Sequence, residues 1–138
     1  MTYGEWNRNC PEAVSRVDWQ RAHTELVRLA RTRARLESEE GRWLLSALRT
    51  GAHVELGYGS FAEYVERLFG YDARWTKEKL RVAEALEHLP ELGRALSVGE
   101  LSWSAVRELT RVATPETEAE WLEAARGRKS RELERQVS

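Results

Sequence analysis

Residues 60–89 read SFAEYVERLFGYDARWTKEKLRVAEALEHL, and this stretch decides the fold class. Ser60 followed three residues later by Glu63 has the form of a capping box, in which a serine oxygen and a glutamate carboxylate satisfy backbone N–H groups at a helix start. The short helix that begins there stops at Gly70, because glycine takes the left-handed conformation that terminates helices without a Cβ penalty. Tyr71 and Asp72 then lead into a second helix over about 73–88, with Asp72 or Thr76 available as its cap. Short helix, glycine turn and longer helix make a helix-turn-helix at about 60–89.

Working outward, Asp18 as an N-cap predicts a long helix over 18–51, with Trp19, Ala22, Leu26, Leu29, Leu36, Trp43, Leu44 and Leu48 at helical spacing. Arg33 and Glu40 fall where a 3-4 alternation wants apolar side chains, and Gly41 weakens the middle, which predicts a bend or break near 38–41. Residues 52–59 (AHVELGYG) read as a connector. Beyond the central pair, Pro90 opens a helix to Val98 and Ser102 caps one to Ala113. Thr114-Pro115 starts another, which runs to Arg126 and ends at Gly127, with a last amphipathic turn or two over 130–137. Residues 1–17 have no sustained period and read as an N-terminal arm, leaving 18–137 as a single helical domain. The expected class is all-α: a multi-helix bundle with a long N-terminal helix and an embedded helix-turn-helix.

Composition bounds the function. The chain of 138 residues is 41% hydrophobic and 33% charged, with a formal charge of −1. That is apolar enough for one core and too charged for a membrane protein. Charged residues near the start oppose a signal peptide, so the expectation is a cytoplasmic protein with no membrane partner. Cys10 is the single cysteine, and His23, His53 and His88 are isolated in sequence; no metal site and no cofactor is expected. Ser102 and Ser104 lack a nucleophile elbow, and there is no glycine-rich phosphate loop, so the chain is not expected to be an enzyme in itself.

With no global basic field, any attraction for phosphate must be local. Drawn at 100° per residue, the second helix of the pair puts Thr76, Leu80, Ala83 and Leu86 on one side and Arg74, Lys77, Glu78 and Arg81 on the other. Lys79 falls on the nominally apolar side, and Trp75 flanks it. Arginine offers a planar fork for guanine or phosphate and lysine a mobile point charge. The candidate DNA-binding residues are therefore Arg74, Trp75, Lys77, Glu78 and Arg81, and the candidate partner is double-stranded DNA. A charged stripe opposite an apolar one is equally what any solvated helix shows.

The stretch from Ser60 through TKEKLRVAEALEHLPELGRALSVGELSWSAVRELTRVATPETEAEW to Trp121 is similar to the helical region found ahead of HNH-type nuclease modules in some bacterial proteins, a likeness extending over roughly residues 19–137. More loosely, it resembles the helix-turn-helix core of ParB/KorB-like partition proteins, through Leu89-Pro90, Leu92, Leu96, Gly99, Leu101-Ser102 and Ala105-Val106. The resemblance implies a turn at 70–73 and a recognition helix carrying the five candidate residues. It implies also that any nuclease module lies C-terminal, in a longer parent protein. Helix-turn-helix motifs usually have a small residue four before the turn glycine, where this chain has Glu66. Either the first helix is one residue longer, with Val65 in the contact, or the crossing differs.

Three further features have readings of their own. Trp43, Trp103 and Trp121 lie in apolar helical stripes and are expected as core anchors. Arg28, Arg31, Arg33 and Arg35 form a basic cluster that could contact phosphates, although a solvated face is the commoner reading of such a run. Glu116, Glu118, Glu120 and Glu123 sit where the dipole of their own helix favours them. The alternative to a DNA-binding module is a helical protein-interaction module, with a homodimer formed through the long helix and its 3-4 spacing around Leu26, Leu29, Leu36 and Trp43.

Overall fold

The computed structural model describes the backbone of residues 16–137 and the side chains of 18–128. Seven helices occur among them: α1 (Arg16–Thr50), α2 (Ala52–Glu55), α3 (Phe61–Phe69), α4 (Ala73–Leu86), α5 (Pro90–Ser97), α6 (Trp103–Leu109) and α7 (Glu118–Val137). There is no strand among the described residues, so the class is all-α. The N-terminal arm lies outside the described residues apart from Arg16 and Val17, which already belong to α1; Asp18 sits in its first turn rather than at its cap.

The helix starts around the central pair follow their caps. The Ser60 hydroxyl accepts from the Glu63 N–H at 3.1 Å, while the Glu63 carboxylate accepts from the Gly59 N–H, one residue earlier than a standard box would have it. Gly70 closes α3 at φ 75° with its N–H on the Glu66 carbonyl. Asp72 caps α4 through the Trp75 N–H at 2.7 Å, Pro90 stands at the first turn of α5, and Ser102 caps α6 through the Ala105 N–H.

Where the structure departs from the pattern, packing is the cause. α1 is unbroken through 38–41, because Gly41 is the point of close approach to α4: a Cβ there would lie 3.2 Å from that of Ala83. The face of α1 that meets the bundle carries Ala34, Gly41, Leu44 and Leu45, all buried. Trp43 stands about 180° from Ala34 round the helix and is exposed, so it is no core anchor. Trp121 is partly exposed as well; only Trp103 of the three is buried. α7 continues through Gly127, since one glycine costs a helix only about 1 kcal/mol and its neighbours are strong helix formers. It begins after a turn at 114–117, in which the Thr117 hydroxyl accepts from the Thr114 N–H.

The main core joins Ala34, Val82, Leu92, Leu96, Trp103, Val106 and Leu122, drawn from α1, α4, α5, α6 and α7. A second cluster of Leu44, Phe61 and Val65 seats α3. Val65 is fully buried and Glu66 exposed, so Val65 makes the contact opened by the glutamate at the usual small-residue position. Glu118 is buried and turned away from its own helix; its carboxylate accepts from the Leu92 N–H in the first turn of α5. A carboxylate at that end satisfies an orphan donor and meets the positive end of the helix dipole.

Candidate nucleic-acid interface

α4 is held by a charge inside the protein. Lys79 is only 4% exposed, and its ammonium donates to Glu37 at 2.9 Å and pairs with Glu40 at 3.3 Å. It also lies 4.0 Å from the centre of the Trp103 ring. The Tyr71 hydroxyl donates to the other Glu40 oxygen at 2.7 Å, and burial, reinforced by that bond, pushes the phenol above its ordinary pKa. The apparent defects of the pattern thus explain one another: Glu40 on α1 and Lys79 on α4 are polar because they face each other. A second tie, the fork of Arg49 on Glu87 at 2.8 and 2.6 Å, pins the far end of α4 to α1.

This anchorage decides what α4 turns outward. Thr76, Lys79 and Val82 are buried, and Leu80, Ala83 and Leu86 are half-buried. Arg74 and Lys77 are exposed and make no ion pair or side-chain hydrogen bond among the described residues. Trp75 is a packing residue, edge-on to Trp103 with ring centres 5.1 Å apart. The guanidinium of Arg107 lies over the Trp75 ring, 5.3 Å from its centre.

Glu78 and Arg81 form part of a network that the linear pattern did not reveal. The Glu78 carboxylate receives Arg81 at 2.7 Å, Arg107 at 3.0 Å and Arg111 at 3.3 Å. The Arg81 and Arg107 hydrogen bonds hold its pKa down to about 2. Arg81 is also within reach of Thr110 and the Arg107 carbonyl, both at 3.4 Å. Three arginines converge on one carboxylate, leaving a positive surplus at the junction of α4 and the end of α6. Arg107 and Arg111 were missed because a helical wheel of α4 cannot report residues about thirty positions away; their i, i+4 spacing was the only hint.

The five candidates therefore divide. Arg74 and Lys77 are accessible, Arg81 is accessible but braced, Glu78 organises the arginines, and Trp75 belongs to the packing beneath them. Among the described residues no group of three or more His, Cys, Asp or Glu side chains is placed to hold a metal ion, and no helix is long and apolar enough to cross a membrane. No family model, curated protein or solved structure matches the chain.

Proposed function

We propose that the chain is a module that binds duplex DNA through the outward face of α4. One observation carries the reading: the exposed Arg74 and Lys77 share the outward face of α4 with Arg81, which converges with Arg107 and Arg111 on the Glu78 carboxylate. The net charge of the chain is −1, so this face is a local basic field on a nearly neutral protein. Such a field suits phosphate contact, and the layout of α3, the turn at 70–72 and α4 suits a recognition helix in a major groove. Glu78 has a role in this reading, because a carboxylate holding arginines lowers the entropy cost of presenting their forks. The resemblance to helical regions ahead of HNH-type nuclease modules supports a place as the non-catalytic part of a longer cytoplasmic nuclease-type protein.

The test is equilibrium binding of a fluorescent duplex to the wild type and to Arg74→Ala/Lys77→Ala. Both residues are exposed, so the variant keeps the fold. Binding by the wild type that weakens in the variant supports the reading; binding that is absent, or equal in the two, overturns it.

A further inference from the structure

The first turns of α1, up to about residue 30, are largely exposed. From Asp18 to Arg31 every side chain is exposed except the half-buried Val27, yet the segment carries Trp19, Leu26 and Leu29. Further along, Leu36 and Trp43 stand away from the core and line an apolar groove with Leu68 and Phe69 of α3. Trp19, Leu26, Leu29, Leu36 and Trp43 are each at least half exposed. So many large apolar side chains along one helix mark a surface that is covered in solution.

We propose that a second copy of this chain covers it, the two α1 helices pairing antiparallel so that the exposed first half of each lies in the groove along the second half of the other. The helix itself argues for this occupant. Trp19, Ala22, Leu26, Leu29, Arg33, Leu36, Glu40 and Trp43 form an unbroken 3-4 alternation. In an antiparallel pair, positions of the first kind face positions of the second. A single register sets Trp19 against Trp43 of the second copy, Leu26 against its Leu36, Leu29 against its Arg33 and Ala22 against its Glu40. A parallel pair would set Arg33 against Arg33, which like charges disfavour.

Arg21, Arg28, Arg31 and Arg35 fall outside the alternation, away from the seam, and Glu37 and Glu40 share Lys79 within their own chain, so apolar contact sets the pairing. Small Ala30 falls near the two-fold axis, where the helices approach most closely. The pairing does not depend on the DNA reading, and either can fail without the other.

Sedimentation equilibrium of the full chain across micromolar concentrations tests it, with circular dichroism to confirm folding. The wild type is expected at twice the chain mass. In Leu26→Glu/Leu36→Glu each apolar pair becomes two facing carboxylates, which raises the dissociation constant by about 100-fold or more while the bundle keeps its helix content. Direction is read in a Cys10→Ser background by oxidation. Leu26→Cys with Leu36→Cys is expected to cross-link two chains, and Leu26→Cys alone to remain uncross-linked. A wild type that stays monomeric, including one whose residues 1–15 fold back over this face, overturns the proposal. So does a dimer unaffected by the glutamates, and so does cross-linking through Leu26→Cys alone, which would mean a parallel pair.

Discussion

Replacing Lys79 by methionine keeps the aliphatic stem that packs beside Trp103 and removes the ammonium. Glu37 and Glu40, one turn apart on α1, are then left side by side with no cation between them. Removing one partner from a buried ion pair costs about 3–5 kcal/mol, because the remaining charge stays desolvated. Here the two carboxylates are 23% and 14% exposed and keep part of their hydration, so the lower end, about 3 kcal/mol, is the expected loss. The vanished contact with the Trp103 ring is included in that figure, not added to it. With a urea slope of about 2 kcal/mol/M for a chain of this size, the unfolding midpoint falls by about 1.5 M. The assay is urea denaturation followed by circular dichroism. Adding Glu37→Gln and Glu40→Gln to the methionine variant removes the stranded charges and recovers at least half of the loss. A midpoint shift below about 0.3 M for Lys79→Met would refute the claim that this cluster clamps α4 to α1.

Three other substitutions probe separate parts of the account. Glu78→Gln removes a carboxyl held at about 2, below its ordinary 4.5. A depressed carboxylate contributes stability that is full above its unfolded value and is lost as pH falls through its folded one. The wild type should therefore melt above the variant at neutral pH, with the gap closing between about pH 4.5 and 2 in thermal melts; a gap that stays constant over that window would show that the arginines do not depend on this charge. Gly99→Ala meets a backbone at φ 77° and places a Cβ 2.9 Å from that of Arg31. The left-handed strain and the overlap with α1 together cost about 2–4 kcal/mol, measurable by chemical denaturation. Gly127→Ala acts in the opposite direction. Its Cβ enters open space in a helix interior, and a gain of about 0.5–1 kcal/mol or a raised helix signal is expected, provided α7 runs through this position.

The helix boundaries around residues 60–102 could be read from the chain because their signals are local. Ser60, Asp72 and Ser102 cap the helices they precede, and Gly70 and Pro90 act within a turn of their own positions. Gly41, Lys79 and Glu40 could not be read so. Each looks like a flaw in one helix, and each is explained by a side chain on another: Ala83 for the glycine, Glu37 and Glu40 for the lysine, Lys79 and Tyr71 for the glutamate. Glu118 differs in the same way, acting on α5 instead of its own helix. The exposed tryptophan at 43 shows the limit of periodicity, which finds an apolar stripe but not what covers it. For the candidate interface, the wheel found Arg74 and Lys77 on the open face but could not see that Arg107 and Arg111 of the neighbouring helix segment close around Glu78. Two of the three arginines that converge on Glu78 were therefore beyond the reach of a reading confined to α4.

The central claim is that phosphate is met by the face of α4, and the salt dependence of duplex binding tests it most directly. Affinity for a labelled duplex is measured by anisotropy over a series of salt concentrations for the wild type and Arg74→Ala/Lys77→Ala. Each phosphate contact contributes about 0.9 to the slope of log affinity against log salt, so the variant is expected to bind at least about tenfold more weakly at low salt, with a slope shallower by nearly two. Equal slopes for the two proteins, or no binding by the wild type at low salt, would contradict the account.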